Sequence, residues 1–393
     1  MNKDPAVFAQ LVAHVSRYEF NLCIKRYCRD YVPRTFSFWD QFLAMAFAQL
    51  TFRESLRDIE VCLQALGSKA YHLGFRGRVT RSTLADANND RDWRIWRDFA
   101  NLLIEQARRL YAGDELEFQF KNAAYALDST TITLCLTLFP WARYQSQKRA
   151  VKLHTQLDLR GSIPSFALIS QGKMADVNFL DEIILEAGAL YVMDRGYFDF
   201  GRFFRFTLHG AFFVTRLKAK ILYRRVQIFS RDKHTAVRCD AAIMPLSRTA
   251  RKSYPHRLRL IEYYDSEKAR TFLFITNNFL LSAQTIADIY RSRWRIELFF
   301  KWIKQHLRIK AFFGTSENAV KTQIWIALAV YALIAILKKQ LSLSHSMHSV
   351  IQVLSLCSTE KIPILQAFSN TLDEQFQADD SKQLNLFDIL TGH

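Results

Sequence analysis

The chain has 393 residues, half of them hydrophobic, which is enough for two or three domains with a sizeable core and excludes a disordered polyelectrolyte. Its formal net charge is +17 and its pI about 9.7, an excess of Lys and Arg that points to a polyanionic partner, nucleic acid ahead of an anionic membrane surface. The six cysteines, Cys23, Cys28, Cys62, Cys135, Cys239 and Cys357, show no CxxC spacing and no zinc-finger histidine cluster, so they read as free thiols in a reducing compartment.

Residues 1 to about 115 read as mostly helical. The start, "MNKDPAVFAQLVAHVSRYEF", is polar and lacks the apolar core of a signal peptide. Apolar residues then recur every three or four positions in "FWDQFLAMAFAQLTF" and "WRIWRDFANLLIEQARRL". Between them Ser55 is placed to cap a short helix, "SLRDIEVCLQAL". The basic, hydroxyl-rich "RSTLADANNDR" suits contact with DNA phosphates and plain scaffolding equally well.

The pattern changes near residue 121. "AAYALDSTTITLCL" is β-rich and "AVKLHTQLDL" alternates, "VNFLDEIILEAG" looks helical, and "ALYVMDRGYFD" is a short buried strand entering a turn. A helix, "DFGRFFRFTLHG", and a strand, "AFFVTRL", follow. The order strand, strand, strand, helix, strand, helix is that of an α/β fold with an antiparallel start. From 217 to 281 four short strands, "ILYRRVQIF", "TAVRCDAAI", "HRLRLIEYYD" and "RTFLFITNN", read as an inserted β-rich domain. Residues 211–260 carry 13 Lys and Arg against Asp232 and Asp240, a net of +11 that suits phosphate contact or simply a soluble sheet with protected edges.

Helical periodicity returns at "SAQTIADIYRSRWRIELFFKWIKQHL", with Ser282 as its N-cap. The apolar run at residues 324–337 is short for a bilayer span and reads as a buried core helix from about 318 to 340. Residues 341–393 hold two apolar helical stretches and an acidic, polar end. The protein is expected to be cytoplasmic, with no membrane partner.

On the helix that contains "YRSRWRIELFFKWIKQHLR", Tyr290, Glu297 and Lys304 are seven apart and fall nearly in line, with Arg293 and Lys301 on the same face. Trp294, Leu298 and Trp302 fall to another side and are placed to anchor the helix. A lone carboxylate among six cations is either one member of an ion-pair network, Arg293–Glu297–Lys301, or a ligand. Two further carboxylates bear on that choice: Asp128 ends the apolar run "AAYAL" and Asp194 ends "ALYVM", and the carboxyl ends of core strands are where α/β folds place their chemistry. Two such aspartates and a glutamate match what metal-assisted phosphodiester cleavage requires, hard oxygen donors for two divalent cations.

With its spacing of Tyr, two residues, Arg, three residues, Glu, six residues, Lys, "YRSRWRIELFFKWIK" resembles the YREK signature of the insertion-sequence-4 family of bacterial DDE transposases. "LDSTTI" and "MDRGYFD" resemble that family's first and second catalytic aspartate regions. "SLRDI", "YHLGFRG", "RSTLADANNDR" and "QLNLFDIL" extend the resemblance over nearly the whole chain.

The resemblance implies an α/β fold: a ribonuclease-H-like catalytic core (121–216 and 282–340), interrupted by a β-strand insertion domain (217–281), with a helical N-terminal DNA-binding region (1–115) and a helical C-terminal region (341–393). It implies that Asp128, Asp194 and Glu297 bind two Mg2+ ions, with Mn2+ as a substitute. Tyr290, Arg293, Lys301 and Lys304 would contact the DNA of the transposon end, and Trp294 and Trp302 are aromatics able to receive a flipped base or to sit in the core. It also implies cut-and-paste movement through a hairpin, on double-stranded transposon ends and target DNA, by a homodimer in the bacterial cytoplasm at the nucleoid. Alternatives are a ribonuclease-H-like nuclease that only hydrolyses and a catalytically silent DNA-binding protein derived from a transposase.

Overall fold

The structure is a computed structural model and describes residues 5–28, 33, 35–145, 148–232, 234–306 and 312–369. Its N-terminal part is helical: α1 (Val7–Val12), α2 (Arg17–Tyr27), α3 (Phe38–Leu50), α4 (Leu56–Ala65), α5 (Lys69–His72), α6 (Arg81–Asp90) and α7 (Trp93–Tyr111). Hydroxyl and carboxylate caps start most of them. Ser37 and Asp40 form a reciprocal capping box on α3, and Ser55 caps α4 by accepting from the Asp58 amide.

The strands are β1 (Ala124–Leu134), β2 (Arg143–Gln145), β3 (Lys148–Asp158), β4 (Ile163–Gln171), β5 (Leu190–Met193), β6 (Phe212–Arg216), β7 (Tyr223–Arg231), β8 (Val237–Pro245), β9 (Leu258–Asp265) and β10 (Arg270–Thr276). They form one mixed sheet of ten strands in an α/β fold. Its order is β2-β3-β1-β5-β6-β10-β9-β8-β7, with β4 also paired to β3. Strands β1, β5 and β6 are parallel, while β3 and β4 run antiparallel beside β1. The helices among the strands are α8 (Phe179–Glu182), α9 (Phe200–Leu208) and α10 (Arg248–Ser253). The stretch read as a helix from "VNFLDEIILEAG" is thus reduced to four α-helical residues after a 3₁₀ turn. Strands β7–β10 lie where the four short β-rich stretches were read. They continue the main sheet, because β10 pairs antiparallel with β6.

The chain then forms α11 (Ala283–Ser292), α12 (Trp294–His306), α13 (Glu317–Gln340), α14 (Met347–Cys357) and α15 (Ile364–Ser369). Ser282 caps α11 by accepting from the Thr285 amide. Helix α13 is long and apolar enough to cross a membrane by length and composition alone, yet 94% of its apolar window is buried inside the protein. It packs on α3, α6, α7 and α12 and touches β4, so it joins the N-terminal helices to the sheet. The acidic, polar end read at the C-terminus lies outside the described residues.

One buried ion pair ties the inserted strands to the helix that follows. Arg259 on β9 donates to both carboxylate oxygens of Asp240 on β8, at 2.8 and 2.7 Å, with both side chains under 10% exposed. Its remaining nitrogen reaches the carbonyls of Asn278 and Leu281, the last residues before the α11 cap. Removing one partner of such a pair strands a buried charge. Asp240→Ala should therefore lower stability by about 3–5 kcal/mol in urea unfolding. A loss under roughly 1 kcal/mol would show that water reaches Arg259.

Candidate active site

Asp128 lies within β1, which runs on to Leu134, and not at the strand's end as expected from the apolar run before it. What ends beside it is the parallel ladder. Leu127 on β1 faces Met193 on β5 in register, and Asp128 and Asp194 are the next residue on each strand. The two carboxylates thus leave adjacent parallel strands at the same level. Beyond Met193 the chain turns at once. Asp194 caps a 3₁₀ turn by accepting from the Gly196 amide, and its own carbonyl accepts from the Thr215 hydroxyl at 3.0 Å. A Cβ at position 196 would come within 2.8 Å of Asp194 Oδ1, so glycine there leaves room for the carboxylate.

Glu297 reaches this level from α12. The helix expected to be continuous tightens at Arg293, where α11 ends and α12 begins. The Arg293 amide donates to Tyr290 O at 3.2 Å and the Ile296 amide to Arg293 O at 3.1 Å, both three-residue steps. The guanidinium turns toward the sheet, with Nη1 3.4 Å from Asp128 Oδ2 and Nη2 paired to Glu297 Oε1. One arginine therefore bridges two of the three carboxylates. The sequence allowed an ion pair of Arg293 with Glu297 but gave no sign of the link to Asp128.

Burial pushes the Asp128 carboxyl up to about 6. The Ser129 amide and Arg293 oppose the rise, and the charges of Asp194 and Glu297 add to it. Asp128 thus senses both of the other carboxylates. Among the described residues no three His, Cys, Asp or Glu side chains meet as a ready-made metal cage. The donors are nevertheless the hard oxygens that a divalent cation takes, and the Arg293 guanidinium supplies positive charge between two of them.

The remaining expected residues are spread around this centre. Tyr290 packs on Phe274 of β10, ring centroids 4.6 Å apart, with the Arg216 guanidinium over its face. Lys304 Nζ donates to the Thr131 carbonyl at 3.0 Å, so α12 runs along β1 past Asp128. Lys301 is exposed on the same helix. Trp294 is 46% exposed. Trp302 is not available to a base: it is 7% exposed and packs edge-on against Tyr331 of α13 at 4.7 Å. The anchoring face also differs from the one expected. Ile296, Phe299, Phe300, Trp302 and Ile303 are buried, whereas Trp294 and Leu298 are exposed.

Other acids near the core have their own partners. Asp158 faces Arg108, and Asp181 and Asp199 both pair with Arg202. Asp176 is closer to the centre, tied to Ser129 and Lys152.

Residues 119–333, more than half of the chain, match the family model described as the transposase DDE domain. Residues 3–76 match a domain of unknown function (DUF4372). The chain is 30% identical over 281 residues to a probable transposase for insertion sequence element IS5377 of Geobacillus stearothermophilus, covering 70% of this chain and 73% of that one. It is 32% identical over 258 residues to the putative transposase y4zB of Sinorhizobium fredii, covering 64% and 70%. It is 26% identical over 276 residues to a putative transposase for insertion sequence element IS4SA of Synechocystis, covering 67% and 74%. The site and these matches define a DDE transposase. The chain belongs to the transposase DDE domain family.

A buried histidine near the site makes stability depend on pH. His154 on β3 is fully buried, bonds Ser170 Oγ through Nε2 at 2.9 Å and stacks on Phe179. Burial lowers its pKa from 6.5 to about 4; Asp176 opposes the shift and Lys152 adds to it. The unfolded chain takes up the proton near pH 6.5, the folded chain only near 4. This contribution is thus full above about 6.5 and is lost as pH falls toward 4, by up to roughly 1.4 kcal/mol per pH unit. Urea midpoints measured from pH 7.5 to 5 should fall more steeply for the native chain than for His154→Gln; parallel curves would refute this.

Proposed function

We propose that this transposase binds the terminal inverted repeats of an insertion sequence and catalyses metal-dependent cleavage and strand transfer of its DNA. The observation that carries this reading is the meeting of Asp128 and Asp194 at the end of one parallel ladder, with Glu297 linked to Asp128 through Arg293. The strand order β4-β3-β1-β5-β6, with three parallel strands and an antiparallel start, supports a ribonuclease-H-like core around them. The YREK spacing supports the insertion-sequence-4 assignment, as does the likeness to the putative IS4SA transposase.

Asp128, Asp194 and Glu297 would hold two Mg2+ ions, or Mn2+ in their place, which when bound supply a polarised phosphate and an activated attacking hydroxyl. Arg293 and Lys304 neutralise phosphate charge along the β1 side of the helix, and Lys301 adds a cation at the exposed rim. Tyr290, seated on Phe274, sets the depth at which the backbone of the transposon end lies. Trp294 is exposed and able to stack on an unpaired base, which suits a cut-and-paste route through a hairpin. Two ends are processed together, so the working form is a homodimer on double-stranded DNA in the cytoplasm, at the nucleoid.

The test is incubation of the purified chain and Mg2+ with labelled DNA carrying the element's own ends, resolved on denaturing gels. Glu297→Gln keeps the helix and removes a charge; it should reduce end cleavage by at least about a hundredfold, the scale of losing a group that acts on the reacting atoms. Equal cutting by both proteins would remove Glu297 from the chemistry. Tight binding without cutting by either would favour a silent DNA-binding protein.

A further inference from the structure

A chain of hydrogen bonds leads from outside the three carboxylates to one of them. Lys152 on β3, its side chain 12% exposed, donates to Asp176 Oδ1 at 2.9 Å and to the Met174 carbonyl at 2.9 Å. Asp176 opens the 3₁₀ turn after β4. Its Oδ1 also accepts from Ser129 Oγ at 2.6 Å. The Ser129 amide donates in turn to Asp128 Oδ1 at 2.8 Å. The two oxygens of Asp128 are therefore claimed from different sides, Oδ1 by its own strand and Oδ2 by Arg293 on the helix.

Next to this chain stands Tyr197, the last residue of the 3₁₀ turn that Asp194 caps. It is 1% exposed, and its hydroxyl lies beside Ser129 and within electrostatic reach of Asp128, Asp176 and Asp194.

We propose that Asp176 is a positioning residue for Asp128, acting through Ser129, with Lys152 as its counter-ion. The proposal rests on the functional reading above. Its physical reason is a change of partners. When DNA phosphate draws Arg293 away, Asp128 Oδ2 loses its only described cation, and the orientation of the carboxylate then depends on Oδ1. Ser129 can fix Oδ1 only if its own position is fixed, and Asp176 holds its side chain. Lys152 balances the charge of Asp176, so the support adds no net repulsion to a centre already crowded with carboxylates. Groups that orient ligating carboxylates in this way set metal affinity.

The test measures Mn2+ binding to the full-length protein by the electron paramagnetic resonance of free Mn2+, alongside the Mn2+ midpoint of end cleavage. Ser129→Ala and Asp176→Asn should each weaken Mn2+ binding about tenfold. The double variant should be no weaker than the worse single, because both break one chain. Asp176→Glu should recover part of the loss. Mn2+ affinity within about twofold of the parent in these variants, with only melting temperatures lowered, would overturn the proposal and leave a structural ion pair. Multiplicative effects of Ser129→Ala and Asp176→Asn would also overturn it. A parent protein that neither holds Mn2+ nor cuts overturns the functional reading itself, whereas a parent that does both while the variants match it overturns only this inference.

Discussion

Asp128 is buried beside two other carboxylates, and their like charges add to the cost of its own. That constraint governs the surroundings of Asp128, Asp194 and Glu297. Arg293 answers it by lying between Asp128 and Glu297, and its place is set by a series of contacts that begins elsewhere. Arg259 and Asp240 fix the end of the inserted strands, and the same arginine holds the carbonyls just before Ser282. Ser282 starts α11, Tyr290 seats that helix on Phe274, and the tight step at Arg293 turns the guanidinium inward. The inserted strands are thus part of the support of the charged centre.

This arrangement also separates cations by duty. Arg108 and Arg202 are committed to carboxylates away from the centre, and Arg295 reaches the Leu159 carbonyl and Glu117. Lys301 is exposed, and Lys304 lies over the edge of β1. A large net positive charge therefore divides into internal counter-ions, which hold the fold, and surface charge, which is available to a polyanion.

Much of this was legible in the residue pattern. Strands β7–β10 showed as short β-rich stretches joined by polar turns, and α11 because Ser282 precedes a 3.6-residue period. The two aspartates stood out as the first polar residues after apolar runs. What the pattern could not carry was pairing between distant segments. That β10 joins β6 depends on register across some sixty residues, and that Asp128 sits in mid-strand depends on where β5 ends beside it. The buried face of α12 was also in the spacing, since Ile296, Phe299, Phe300 and Ile303 fall at i, i+3, i+4 and i+7, while Trp294 and Leu298 face outward. The bridging arginine left no trace in spacing because one of its partners is 165 positions away.

Helix α13 has a consequence for how the protein is made. The apolar faces of α3, α6 and α7 are closed by a helix that ends at Gln340, so those early segments cannot complete their core while the sheet is being synthesised. At ordinary translation rates the delay is on the order of tens of seconds. During that time the nascent N-terminal helices depend on one another or on chaperones. A product cut short before α13 would keep every candidate catalytic residue and still lack the element that joins its layers. The emergence of α13 is what lets these layers close into one core.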